Sequence, residues 1–179
     1  MLVVAYEYLS AIKPDYLSAI LHIFNQTAKE VCEGQQLDMD FEKRETVQLE
    51  EYVQMISLKT SVLLAACLKM GAILGGASVY NQHHLYEFGR NLGIAFQIQD
   101  DYLDAFGDPE KFGKQPGGDI LANKKTFLMI RTMEVASPEQ QQQLKDWMEH
   151  PPADKVAQVL QLFKACGADA WTHELKETY

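Results

Sequence analysis

Three carboxylates close one apolar run: Asp100, Asp101 and Asp104 stand at the end of Phe96-Gln97-Ile98-Gln99-Asp100-Asp101-Tyr102-Leu103-Asp104. If the run is helical, each residue turns about 100°, which sets Asp104 roughly 40° from Asp100 and about 6 Å further along the axis, with Asp101 flanking both. Like charges this close repel by a few kcal/mol even at an effective dielectric of roughly 20, and a shared divalent cation removes that repulsion. Ligands made of oxygen alone favour Mg²⁺ over zinc or copper. A plainer alternative stands beside this one, in which acids at a helix end are simply solvated, although there they oppose the macrodipole.

Taking Asp100 as zero, Tyr86, Gly89, Gly93, Phe96, Gln97 and Asp104 fall within about 60° of it, while Ile94, Ala95, Ile98, Tyr102 and Ala105 point away. The first set describes a groove floored by two glycines beneath the acids, suited to an apolar chain hanging from a metal-bound head group. The same glycines serve equally if they only let helices pack closely. Lys59 stands one turn above Leu63, on a face continued by Ala66, Met70 and Ala77, as a ligand with an anionic head and a hydrocarbon tail would need. A lysine in that place also suits ordinary snorkelling to solvent.

Lys114, in a glycine-rich loop after the acids, and Lys124, early in the following helix, add cations to the same region. A loop entering a helix N-terminus offers backbone N–H groups to phosphate, but the Gly-Lys-Ser/Thr ending of a nucleotide loop is missing, which argues against ATP. His83 and His84 point about 100° apart on a helix and have no third ligand spaced to join them, so they read as a helix-start pair. Asp38-Met39-Asp40 opens like a calcium loop but lacks its glycine and closing glutamate. Trp147 and Trp171 read as core or interface, and no serine, cysteine and histidine set has a recognisable nucleophile setting.

The elements that must position these groups are helical throughout. Apolar residues begin at position 1 without a cap, so the chain is expected to start inside a helix. Pro14 opens a helix that continues through Tyr16, Ile20, Ile23, Phe24, Ala28 and Val31 to Gly34. A polar link, Asp38 to Glu45, precedes Thr46 as an N-cap. Val62 to Val79 is strongly apolar despite Gly71, Gly75 and Gly76, whose cost to helix propensity calls for close packing or a ligand. Asn81 is placed to cap the helix bearing the acids, Gly107 to Gly118 reads as loop, and Asp119 to cap a helix running through Ile130. Ser137-Pro138-Glu139-Gln140 has the form of a capping box, opening a helix to about His150; Pro151, Pro152 and Asp154 introduce another to Gly167, and a last helical segment spans 168–179. With no β-alternation the class is all-α, in one domain over 1–179.

Composition narrows the partners. The 179 residues are 47% hydrophobic, enough for a sizeable core, and the net charge of −9 speaks against nucleic acid or an anionic membrane surface. Cys32, Cys67 and Cys166 are odd in number and far apart, and read as reduced core residues of a cytoplasmic protein. The opening segment lacks the basic flank of a signal peptide, and no run is expected to reach membrane-spanning length.

Taken together, Gly34-Gln35-Gln36-Leu37-Asp38, Lys59-Thr60, the Phe96 to Asp104 motif, Gly113-Lys114, Gly118-Asp119 and Lys124-Lys125-Thr126 resemble the trans-isoprenyl (polyprenyl) diphosphate synthases. The resemblance implies an all-α helical bundle of the isoprenoid synthase type and a Mg²⁺-dependent prenyltransferase. Such an enzyme condenses isopentenyl diphosphate with an allylic diphosphate in isoprenoid biosynthesis, as a cytoplasmic homodimer. By motif position Asp100 and Asp104 would ligate Mg²⁺ with Asp101 nearby, and Asp119 would act through water. Lys59, Lys114 and Lys124 would grip the diphosphate, while Thr60, Gln97 and Gln35 would lie along the carbocation and its tail. The family has a second such aspartate motif, and no other Asp-Asp-x-x-Asp occurs in these residues. The expectation is therefore a fold incomplete at its N-terminal side and inactive alone; the alternative is a non-catalytic helical partner subunit.

Overall fold

In a computed structural model the described residues, 2–113 and 116–179, form helices and connecting turns, with no strand among them. Helix α1 spans Leu2–Ser10 and α2 Pro14–Phe41; α3, Leu49–Ile56, passes through a π-helical turn at Ser57–Ser61 into α4, Val62–Leu74. Helix α5 spans Val79–Phe106, the single turns α6 and α7 cover Pro109–Phe112 and Gly118–Leu121, and α8 to α11 are Phe127–Val135, Pro138–Glu149, Lys155–Ala165 and Ala168–Thr178. Contacts divide the chain into two compact units. One joins the chain up to Gln36 with Met55–Ile94, and the other joins Leu37–Gln54 with Ala95–Tyr179.

The first unit is organised by small residues. A Cβ on Gly34 would run into the backbone of Lys59, one on Gly89 would lie 2.8 Å from Ala65 Cα, and one on Gly93 2.5 Å from Ser61 Cα. Backbones can come this near only where the side chain is a hydrogen. Gly34 thus marks a close crossing, not a stop, and α2 continues to Phe41 through the first half of the expected polar link. Gly89 and Gly93 likewise serve packing and do not floor an open groove; both are buried. The facing residues are small as well, with Ser61, Ala65 and Ala66 fully buried. Gly71 is different: it is exposed inside α4, and a Cβ there would meet nothing within 4 Å, while Gly75 and Gly76, the latter at φ +73°, end the helix.

Several boundaries move by a turn for local reasons. Ser78, not Asn81, caps α5, since Asn81 N donates to Ser78 Oγ at 3.3 Å. Thr46 lies outside α3; Gln48 N instead donates to Glu51 Oε2 at 2.9 Å, the acid reaching back over the helix start. Asp119 sits in the first turn of the short α7, and α8 has its own cap, Thr126 Oγ1, which accepts from Met129 N at 3.4 Å. Between them the chain turns at Asn123, φ 56°. The loop after Gly107 contains the turn α6, capped by Asp108. The capping box at Ser137 forms as expected, with both reciprocal bonds present.

In the second unit α10 is the hub, packing on α7, α8, α9 and α11. Its Val159 and Phe163, with Leu128, Leu144 and Phe127, make a core that excludes water almost completely. Lys155 enters this core and donates to Asn123 Oδ1 at 2.6 Å, while Asn123 Nδ2 donates to Met148 O at 3.2 Å, which holds the left-handed turn in place. Two expectations fail here and in the first unit. Cys32 and Cys67 are exposed and Cys166 half-buried, so the thiols are not core residues. The π turn also fuses α3 and α4 into one 26-residue helical run, Leu49–Leu74, long and apolar enough to cross a membrane by length and composition. Packed core helices pass the same test, and Val62, Ala65, Ala66 and Ala72 are buried in this one.

The glycine contacts generate a paired prediction. Gly93→Ala should destabilise the chain by about 2 kcal/mol or more through overpacking against Ser61, whereas Gly71→Ala, on an open helix face, should stabilise it by about 1 kcal/mol. Urea unfolding of both variants decides it; equal effects would show that the close crossing at Gly93 does not constrain the fold.

Candidate functional site

The acidic end of α5 is built around one buried carboxylate. Asp101, 6% exposed, accepts from Tyr52 Oη of α3 at 2.7 Å and from Gln97 Nε2, one turn back on α5, at 3.2 Å. The backbone N–H of Phe127, at the start of α8, also donates to it. Burial pushes the Asp101 carboxyl up to about 7, with the charge of Asp119 adding to the rise, while the bonds from Tyr52, Gln97 and Phe127 favour the carboxylate and oppose it. Burial and the neighbouring Asp101 likewise hold the Tyr52 phenol well above its usual range, so it stays protonated and donates.

Asp104 is tied to a different partner. Its Oδ2 accepts from Asp119 N at 3.0 Å and its backbone carbonyl from Gly117 N at 2.6 Å. Thus the helix start after the loop, expected to be open to phosphate, is already capped by a carboxylate from α5. The turn that permits this needs its glycines. Gly117 is at φ 90° with Val156 where a Cβ would stand, and a Cβ on Gly118 would come within 3.2 Å of Asp104 Oδ1. Lys124 Nζ lies 2.7 Å from Asp119 Oδ1. That bond, and then the charges of Asp119, Asp38 and Asp101, raise its pKa against the opposing effect of burial, so the lysine carries its charge into an acidic cluster.

The structure therefore groups Gln97, Asp101, Asp104, Asp119 and Lys124 in the second unit, with Asp100 exposed on the same helix. Lys59 and Thr60 are half-buried in the π turn and Gln35 is exposed on α2, all in the first unit. Lys114 lies outside the described residues. Among the described residues no three His, Cys, Asp or Glu side chains converge closely enough to hold a metal ion. Asp101 is engaged by Tyr52, Gln97 and Phe127, and Asp119 by Lys124. Asp100, Asp104 and Asp119 nonetheless offer oxygen donors alone, a chemistry that fits a hard cation such as Mg²⁺.

Two contributors escape sequence reasoning. No sequence signal singles out Tyr52, though a tyrosine buried in a core must find a partner for its hydroxyl. Asp38 reads as an incomplete calcium ligand, yet its charge acts on Lys124; its place in the Gly-Gln-x-x-Asp segment is the available signal.

The same residues and geometry have counterparts among known proteins. A sequence profile described as polyprenyl synthetase matches residues 1–166. The chain is 42% identical over 143 residues to a short chain isoprenyl diphosphate synthase of Methanothermobacter thermautotrophicus, covering 80% of this chain and 44% of that one. A crystal structure of a geranylgeranyl pyrophosphate synthase superposes with a TM-score of 0.90 at 42% identity, over 99% of this chain and 56% of that one. A polyprenyl synthase from Caulobacter crescentus CB15, complexed with calcium and isoprenyl diphosphate, superposes with a TM-score of 0.84 at 26% identity, over 90% and 50%. The chain spans about half the length of each of these relatives.

The buried carboxyl makes stability depend on pH. Because Asp101 titrates near 7 when folded against an ordinary 3.8, the folded chain binds this proton more tightly. Its contribution is complete below about pH 4 and is lost as pH rises through 7, an effect on the order of 4 kcal/mol at most. Asp101→Asn should flatten the fall in unfolding free energy between pH 5 and 8 relative to the parent chain, measured by urea denaturation at each pH. Parallel profiles for the two proteins would sink the assignment.

Proposed function

We propose, because this chain belongs to the polyprenyl synthetase family and has its all-α isoprenoid synthase fold, that its acidic site binds Mg²⁺ and an allylic diphosphate. The reaction served is condensation of that diphosphate with isopentenyl diphosphate. The observation that carries this reading is the joining of Asp104, Asp119 and Lys124 at the end of an apolar helix, by bonds of 3.0 and 2.7 Å. Acids and a charged lysine held side by side suit a ligand that brings both cations and an anion.

In this reading Asp100 and Asp104 hold the metal directly and Asp119 acts through water. Bound Mg²⁺ supplies electrostatic stabilisation to the departing diphosphate. Lys124, kept protonated by the surrounding carboxylates, is released from Asp119 to the diphosphate oxygens. Asp101 does not reach the ligand: fastened to Tyr52, Gln97 and Phe127 N, it fixes the orientation of the helix end that presents its two neighbours. Lys59, Thr60, Lys114 and Gln35 take their proposed roles, on the diphosphate and the hydrocarbon tail, from motif position alone. Magnesium dependence, a cytoplasmic homodimer and the supply of a second aspartate motif from elsewhere belong to the same proposal. With one Asp-Asp-x-x-Asp in its 179 residues, the chain does not turn over substrate unaided. That same count favours the second reading, a partner subunit that binds ligand without completing the reaction.

Calorimetric titration of the chain with inorganic pyrophosphate tests the site. Binding should require Mg²⁺ and vanish with chelator, and Asp100→Ala or Asp104→Asn should weaken it at least tenfold, roughly 1.4 kcal/mol, with the circular dichroism unchanged. Metal-independent binding, or full affinity in both variants, would overturn the metal role. Condensation by the isolated chain would overturn the proposed need for a second motif.

A further inference from the structure

A cavity of about 220 Å³ lies in the second unit, and its lining includes none of the carboxylates that the proposed function uses. Its apolar wall is Val47, Met129, Ile130, Met133 and Met148, and Lys125 stands at its edge. Val47, Met129 and Ile130 are buried; Met133, Met148 and Lys125 are half-buried. Three methionines around one space give a lining that is apolar, polarisable and able to change rotamer around an incoming chain. The volume holds about seven water-sized groups, the size of a short hydrocarbon tail.

Lys125 gives the cavity its polar end. Its Nζ lies 3.9 Å from Met148 Sδ, a weak acceptor for an ammonium. Burial alone lowers its pKa, with no carboxylate raising it again, in contrast to its neighbour Lys124. The nearby Glu134 is engaged by Arg131 at 2.6 Å, and Glu45 is exposed. A half-buried cationic head beside an apolar pocket is complementary to an anion carrying a tail, which would give the ammonium oxygen acceptors in place of sulfur.

We propose that this cavity is an accessory binding site for a small amphiphilic anion, its hydrocarbon tail among Met129, Met133 and Met148 and its head group at Lys125. The head is a carboxylate or a phosphate monoester, which the lysine would receive alike. This site is independent of the metal and diphosphate reading, since it shares no side chain with it.

The seven methionines of the chain provide the test. In the ¹³C-methyl-methionine spectrum, titration with octanoate or with octyl phosphate should shift Met129, Met133 and Met148 saturably and leave Met55 and Met70 in place. The stronger of the two ligands identifies the head group. Octanol should bind at least tenfold more weakly than that ligand, and Lys125→Gln should weaken it at least tenfold while the ligand-free methyl spectrum and the melting temperature stay within error. Lys145→Gln, at the exposed rim, serves as the charge control and should change affinity less than threefold. Equal binding of octanol, equal binding by Lys125→Gln, shifts spread over all the methionines, or no shift with either anion would each overturn the proposal. Loss of pyrophosphate binding with octanoate binding intact would strike only the function proposed for the acidic site.

Discussion

Everything around the acidic site rests on one buried carboxyl group. Asp101 draws one hydrogen bond from α3, one from its own helix and one from the first residue of α8, so a single side chain joins three elements distant in sequence. A buried carboxylate with one partner removed is costly, and those elements are therefore held in a fixed arrangement. The exposed Asp100 and the half-buried Asp104 inherit their directions from this anchor. A chain with alanine at 101 would lose more than a charge, since Tyr52 Oη and the Phe127 N–H would both be left buried and unpaired.

The first unit solves a different problem, that of bringing backbones closer than side chains allow. Gly34, Gly89 and Gly93 each face residues of the π turn or of α4 at distances where any Cβ would overlap. Packing this tight against Ser57–Ser61 supports an irregular turn that would otherwise cost hydrogen-bond geometry. Lys59 and Thr60 owe their placement to that turn.

Much of this is legible in the residues themselves. Helical spacing locates the helices that carry the acids and the capping box at Ser137, and the spacing of Asp100, Asp101 and Asp104 identifies the segment on which the site is built. Faces are legible only approximately, because periodicity does not say whether a glycine stripe meets a ligand or another helix; Gly89 and Gly93 meet Ala65 and Ser61. Caps are displaced where another capping residue stands a turn away, as Ser78 does from the expected Asn81, a choice that propensity does not resolve. The π turn is invisible, since Ser57-Leu58-Lys59-Thr60-Ser61 satisfies an ordinary helical pattern. Tyr52 and Asp101, 49 residues apart, can be paired only by tertiary structure.

The bond from Asp119 N to Asp104 Oδ2 gives this carboxylate two occupations, as the last acid of α5 and as the lock on the loop that follows it. In the reading proposed for this site, a cation at Asp104 would share a carboxylate whose Oδ2 already accepts from Asp119 N, so its affinity would depend on what that bond gives up. Loading of such a site would then be coupled to the Gly117–Gly118 turn, and the residence time of its ligand would follow that turn as well as charge.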